Sequence, residues 1–252
     1  MKQLVVILLA TAVAFATSSC AHQKPKNFII PVDLSDSRDS ATINWYKETI
    51  KNSILNRMGP KDRLTVLPVD HNSETWGQEI FRVDFSKNNY GNEYAGLQQE
   101  GVAKKNLQDS ILTTIQQFEK SFALARANRF GFNNGTDIIG SLKIAHKYFN
   151  PEYKNIIVVL SDMMQMTDKG KMNFEEHLNS PDEIDHYLSV ADKVDLKNMQ
   201  IIVLTGALNQ MQPQKFGALK SFWEKYFTQC NGEVIDYSSG AITKLKEVLP
   251  DK

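Results

Sequence analysis

The sequence predicts an α/β domain in which helices cover a mostly parallel sheet. Short apolar runs alternate with longer stretches of helical periodicity, which is typical of this class. The runs at 156–160 and 201–204 are almost continuously β-branched, as expected for strands buried on both faces. The run at 81–85 alternates apolar and polar residues, so it suits an edge strand with one solvated face.

The remaining elements follow the same two periodicities. Three further strands are predicted at 28–32, 64–69 and 233–237. One helix carries five apolar residues on a single face, in steps of four, four, three and four from Leu107 to Phe122. Ile43, Tyr46, Ile50 and Ile54 mark an earlier helix, and 216–227 and 241–249 two later ones. This architecture alone assigns no function.

Composition limits the classes of protein that need to be considered. The 252 residues are enough for one large α/β domain, and 42% of them are hydrophobic, which argues against disorder over the whole length. Lys and Arg number 29, as do Asp and Glu, so no global field would attract nucleic acid. Two cysteines are too few for a disulfide framework or a four-thiolate zinc site.

The N-terminus has the features of a secretory signal. Lys2 precedes a twelve-residue apolar run at 4–15, and small residues at 16–19 lead into Cys20. The run is shorter than the roughly 20 residues that a membrane-spanning helix needs. The segment resembles a bacterial lipoprotein signal, in which the cysteine becomes the lipidated first residue, although Thr17 stands where leucine is usual. An ordinary cleaved signal with a chance cysteine is the alternative.

These features predict three segments and a location. Residues 1–19 form the signal peptide, 20–27 the lipidated Cys20 with a short polar tether, and 28–252 one domain. The protein is then expected in the cell envelope, anchored by lipid to a bacterial membrane. Cys230 remains as the only free thiol and is expected to be a small buried residue.

Oxygen-bearing side chains follow the strongest predicted strands. Residues 33–37 read Asp-Leu-Ser-Asp-Ser directly after the first strand, Gly-Thr-Asp at 135–137 opens a helix, and Ser161-Asp162 follow the strand at 156–160. Hydroxyls and carboxylates without imidazole or thiolate suit a hard cation such as Mg²⁺. In an open α/β sheet, loops at the carboxyl ends of strands converge where the strand order reverses. If the strands before Asp33 and Asp162 are neighbours there, the loops meet.

These motifs resemble, in kind and in order, the metal-ion-dependent adhesion site (MIDAS) of von Willebrand factor A (vWA) domains. The resemblance implies a Rossmann-like, doubly wound sheet with one antiparallel edge strand, which the 81–85 segment fits. It implies direct metal ligation by the hydroxyls of Ser35 and Ser37, and ligation by Thr136 directly or through water. Asp33 and Asp162 would act mostly through water.

Three residues depart from the vWA pattern. Asp36 and Met163 stand where many members have glycine, so the shapes of the two loops are open to change. Pro31 lies inside the predicted first strand, where it would remove a ladder hydrogen bond unless it lies at the strand end.

The same residues allow other assignments. Helix capping explains each serine, threonine or aspartate separately, but not their convergence. A metal-dependent hydrolase in the same crevice, with Asp33 or Asp162 as acid or base, and a metal-free scaffold subunit are the functional alternatives. The common nucleotide, zinc-protease and hydrolase motifs are missing. The acidic segment around His177 and His186 is expected to be solvated surface, as are Arg126 and Arg129.

The sequence therefore predicts a lipoprotein that is not an enzyme and does not bind nucleic acid. Its vWA-like domain is expected to bind Mg²⁺, with Mn²⁺ or Ca²⁺ as other options. The cation would hold an acidic side chain of a protein partner, because hydroxyl ligands leave its charge poorly neutralised.

Overall fold

The computed structural model describes residues 24–35, 38–76, 78–87, 97–129, 135–167, 172–178, 180–206 and 211–249. Of the predicted features, the signal peptide, Cys20, Asp36 and Ser37 lie outside these ranges. Six strands are described: β1 (Lys26–Asp33), β2 (Arg63–Val69), β3 (Phe81–Asp84), β4 (Lys154–Leu160), β5 (Met199–Leu204) and β6 (Glu233–Ser238).

The described helices fall between and after these strands. One of them, α1, continues into a π-helix at Thr49–Ile54 and a 3₁₀ turn at Leu55–Arg57. The strand β3 leads directly into a 3₁₀ turn at Phe85–Lys87. The α-helices are α1 (Ser40–Glu48), α2 (Ser73–Trp76), α3 (Leu97–Arg129), α4 (Ile138–His146), α5 (Phe174–His177), α6 (Pro181–Val190), α7 (Pro213–Gln229) and α8 (Thr243–Val248).

The strands form one sheet in the order β3-β2-β1-β4-β5-β6. All neighbours are parallel except β2 and β3, which pair antiparallel at the edge. The chain proceeds outward from β1 through β2 to β3 and then returns to β4 on the other side of β1. The strand order therefore reverses between β1 and β4, which confirms the predicted fold class.

Helices bury both faces of this sheet. Phe28, Ile30 and Val32 of β1 point into a core with α1, α3 and α8, whereas Ile29 points into the core with α4, α6 and α7. This alternation follows from the two-residue period of a strand. Two-sided burial also explains why β4 and β5 are almost uninterrupted runs of β-branched residues.

The predicted helical stripes are core. Leu107, Ile111, Phe118 and Phe122 of α3 are buried against the sheet. Ile43 and Tyr46 of α1 are buried too, and the stripe continues through Ile50 and Ile54 in the π-helical turn. Cys230 is buried with a free thiol, as expected.

Pro31 is accommodated in the interior of β1, rather than at its end. It pairs with Leu67 of β2, and β1 continues to Asp33. On the other side, the register with β4 omits Ile30 and Pro31 and resumes at Val32 with Leu160. The ladder is thus interrupted where proline lacks its N–H.

Within the described residues, no helix has the length and apolar character needed to cross a membrane.

Candidate functional site

Asp33 joins the ends of the two central strands. Its Oδ2 accepts a hydrogen bond of 3.1 Å from the hydroxyl of Ser161, the residue that follows β4. Its Oδ1 accepts a 2.9 Å bond from the backbone N–H of Ser35. All three residues are buried. The predicted meeting of the loops after β1 and β4 is therefore confirmed, because the two strands are neighbours at the point where the order reverses.

Asp162 lies in the same cluster and forms an ion pair with Arg38. Its Oδ2 contacts Nη1 of Arg38, and its Oδ1 accepts a 3.1 Å bond from the N–H of Met164. Burial raises the pKa of Asp162 to about 6, although the charge of Arg38 opposes this rise and the nearby charge of Asp33 adds to it.

The loop after β4 adopts a conformation that favours glycine. Met163 has φ of +67°, the left-handed region that costs a non-glycine residue energy. Three contacts hold it there: its N–H donates to the Ser161 hydroxyl at 3.0 Å, its carbonyl accepts from the indole N–H of Trp223 at 2.8 Å, and its side chain is fully buried. These contacts hold the loop in the left-handed conformation even though the residue is methionine and not glycine.

Backbone hydrogen bonds tie Thr136 to the same loop. Thr136 and Met166 exchange two backbone hydrogen bonds of 2.8 and 2.9 Å. The backbone N–H of Asp137 donates a 2.8 Å hydrogen bond to the carbonyl of Asp70, which follows β2. Gly135 permits this approach, because a Cβ there would lie 2.8 Å from that of His71. The loops after β2 and β4 are therefore joined to the segment that carries Thr136. The loop after β4 is in turn joined to the end of β1 by the bond between Ser161 and Asp33.

Helix capping is carried out by different residues. Asp39 caps α1 by accepting a 2.6 Å bond from the N–H of Thr42, and Asp137 caps α4 through the N–H of Gly140 at 2.9 Å. The side chain of Gln165 adds two bonds to the first turn of α4. Capping thus accounts for the neighbours of the predicted metal ligands, but not for Asp33 or Asp162.

A third buried carboxylate was not anticipated. Asp70 follows β2 and is bound by Arg129, whose Nε lies 3.0 and 3.2 Å from its two oxygens. Burial raises the pKa of Asp70 in spite of this partner. The assignment of Arg129 to ordinary helix surface was therefore wrong. The repeated Pro-Val-Asp at 31–33 and 68–70 was the sequence signal that pointed to Asp70.

One polar atom beside the cluster lacks a protein partner. The hydroxyl of Tyr46, a fully buried residue, makes no hydrogen bond. Burial raises its pKa well above the ordinary value, and the charges of Asp33 and Asp162 raise it further. A buried hydroxyl without a partner costs free energy, so a water beside the two carboxylates would be stabilised here.

The oxygen donors present fit a hard cation that takes few of its ligands from the protein and the rest from water. Among the described residues, no three His, Cys, Asp or Glu side chains form a metal-binding group. A divalent ion at this position would therefore depend on hydroxyls and waters beside Asp33 and Asp162, which is the ligand type that Mg²⁺ accepts. Asp33, Asp70 and Asp162 against Arg38 and Arg129 leave one negative charge in excess when all five are ionised.

Comparison with known proteins gives little further information. No protein-family model and no curated protein matches the sequence. Among the matching chains of solved structure is proximal thread matrix protein 1 from the mussel byssus, at 12% identity and a TM-score of 0.44. The match covers 90% of this chain and 48% of that protein, so the chain spans about half of its length.

The raised pKa of Asp162 predicts a pH-dependent stability. Because the folded pKa of about 6 exceeds the ordinary 3.8, the folded state holds this proton more tightly than the unfolded chain. The stabilisation that this proton gives is fully present below about pH 4 and is lost as the pH rises through about 6. Urea unfolding in chelator from pH 4 to 7 measures it. Asp162→Asn should remove this component, and identical pH profiles for the two proteins would contradict the assignment.

Proposed function

We propose that this protein is an exported lipoprotein whose vWA-like domain binds a divalent cation and, through it, a protein partner. The observation that supports this best is the buried pair Asp33 and Asp162, which lies among hydroxyls where β1 and β4 end and caps no helix. Buried carboxylates are costly unless a cation neutralises them.

The resemblance to vWA domains supplies the ligand roles in this proposal. The hydroxyls of Ser35 and Ser37 and that of Thr136 would bind Mg²⁺ beside Asp33 and Asp162. A bound cation supplies positive charge that its neutral ligands leave largely uncompensated. An aspartate or glutamate of a partner protein is the group that such a charge attracts.

A catalytic role for the cluster is not part of the proposal. A pKa near 6 would suit Asp162 for acid–base chemistry. Its two oxygens, however, are engaged by Arg38 and by the N–H of Met164, and the side chain is almost fully buried. A general base must reach the proton that it removes.

The Arg38–Asp162 ion pair favours a second candidate, a metal-free scaffold subunit. Burial alone would lower the pKa of Arg38, but the charges of Asp162 and Asp33 outweigh burial and raise it. The guanidinium therefore already supplies positive charge to both carboxylates. In the metal-binding proposal Arg38 competes with the divalent cation, whereas in the scaffold alternative it replaces the cation permanently.

Loss of one hydroxyl ligand should abolish the response to Mg²⁺. A cation that binds only the folded state raises the free energy of unfolding by about 2.7 kcal/mol when its concentration is one hundred times Kd. We expect Mg²⁺ to raise the Tm of the wild type but not that of Ser35→Ala. Ser53→Ala removes another buried serine hydroxyl in the π-helical turn and should keep the response. Equal Mg²⁺ responses in wild type and Ser35→Ala, including none, would refute the metal site.

Removal of the competing cation should tighten metal binding. We expect Arg38→Gln to lower the Kd for Mg²⁺ by roughly tenfold, because the competing guanidinium is removed. A tenfold change in Kd corresponds to about 1.4 kcal/mol of binding free energy. Arg126→Gln, which removes an exposed arginine bonded to Ser40, is the control. Isothermal titration measures both. If instead Mg²⁺ binds neither protein and Arg38→Gln unfolds about 3 kcal/mol more easily, the scaffold alternative is correct.

Partner binding should require the cation. We expect a partner retained from a membrane extract to be released by chelator and restored by Mg²⁺ or Mn²⁺. Thr136→Ala should release it as well, whereas Asp36→Gly, which removes a negative charge next to the ligands, should leave binding unchanged or tighter. Cross-linking identifies the retained species. An interaction indifferent to chelator and to Thr136→Ala would remove the metal-bridged mechanism.

A further inference from the structure

A cavity of about 1120 Å³ lies at the other end of the sheet from the acidic cluster. Lys26 begins β1 and Lys154 begins β4, and both line the cavity, as does Gln200 near the start of β5. The strands are parallel, so these residues stand at the end remote from Asp33. Lys26 and Asp33 are seven residues apart in one strand, which is about 23 Å at about 3.3 Å for each residue.

The cavity wall is basic. Four lysines line it, Lys24, Lys26, Lys154 and Lys244, and Glu247 is the single carboxylate among the described lining residues. Glu247 is already paired with Lys244, at 2.6 Å. Positive charge is therefore in excess among the described residues that line the cavity.

Two of these lysines are held next to each other. Lys26 and Lys154 are direct partners in the β1–β4 ladder, so their side chains leave the sheet from adjacent positions. Like charges at paired positions of a sheet repel each other. An anionic group placed between the two ammonium groups would relieve this repulsion.

The rest of the wall has the character of a membrane interface. Phe149, Ile235 and Val248 line the cavity as partly buried apolar side chains beside the lysines. Gln200 contributes a buried Oε1 that accepts no hydrogen bond. A phosphate group for the lysines and a hydroxyl for Gln200 are both present in a phosphoglycerol headgroup.

The position of the tether brings such headgroups within reach. Lys24 lines the cavity, and Cys20 is four residues before it. Four residues span at most about 14 Å when fully extended. If Cys20 carries the lipid, which is the anchoring part of the proposed function, the cavity lies within that distance of the membrane surface.

We infer that this lysine cavity binds the headgroups of anionic phospholipids in the membrane that holds Cys20. The domain would then stand with the amino ends of its strands on the bilayer. The acidic cluster would point away from the membrane, toward a partner.

Binding of unlipidated protein to vesicles tests the cavity separately from the anchor. The mature chain with Cys20→Ser is sedimented with vesicles of phosphatidylcholine, with or without phosphatidylglycerol. We expect binding only with phosphatidylglycerol, decreasing as salt increases. The double variant Lys26→Gln/Lys154→Gln should bind about 25-fold more weakly, at about fivefold for each lysine. Lys104→Gln/Lys105→Gln makes the same change of net charge on α3 and should bind like the parent.

The contrary outcomes separate the two claims. Equal binding by the two double variants, or no binding to phosphatidylglycerol, would overturn the headgroup site. If inorganic phosphate at millimolar concentration raises Tm while phosphatidylglycerol vesicles are not bound, the headgroup site is overturned in favour of a site for free phosphate. Fractionation of the full chain and its Cys20→Ser variant tests the anchor: if both are released from membranes, the anchor is refuted, while the vesicle result still decides the cavity.

Discussion

The hydrogen bond between Asp33 and Ser161 links the two strands on which the rest of the crevice depends. It joins the end of β1 to the end of β4 at 3.1 Å, where the strand order reverses. The chain after β1 leads to α1 on one face of the sheet, whereas the chain after β4 leads to α6 on the other, so this bond connects two loops just before they separate. With Asp33 in place, the loop that carries Asp162 and Met163 is held against the first loop, and Thr136 joins it through Met166.

The electrostatics of the crevice follow from this convergence. Parallel strands bring their carboxyl ends to one edge, so Asp33, Asp70 and Asp162 are buried near one another. Two arginines, Arg38 and Arg129, each bind one of these carboxylates. Arg38 comes from the loop that bears Ser35, and Arg129 from the end of a long helix on one face of the sheet. The fold thus balances charge that its own topology concentrates.

The fold was largely predictable because the local spacing of apolar residues indicates which faces of a strand or helix are buried. The strands at 156–160 and 201–204 were placed to within two residues at their starts, since β-branched runs mark two-sided burial. The antiparallel edge strand was likewise found, although Phe85 starts a 3₁₀ turn instead of ending the strand. The sequence predicted that Pro31 would remove a hydrogen bond from the sheet. It did not predict that Pro31 would lie inside β1, because that depends on which neighbouring strand faces the position of the missing N–H.

The candidate site was predictable only in part. Asp33 and Asp162 follow the strongest strands, and neighbouring strands brought them together. The partners of the carboxylates were not predictable, because Arg38 and Arg129 lie on elements whose direction no local pattern specifies. Met163 shows the same limit: its left-handed backbone depends on a hydrogen bond from Trp223, sixty residues away in the chain.

The burial of Cys230 has a consequence for how the domain matures. The chain has two cysteines, and lipid attachment would consume Cys20, so the fold would be maintained by packing and hydrogen bonds alone. Cys230 ends α7 against the core with 1% of its surface exposed, and enzymes that exchange thiols need access to the sulfur. Folding of this domain should therefore require no oxidant, and its stability should be the same in oxidising and reducing surroundings.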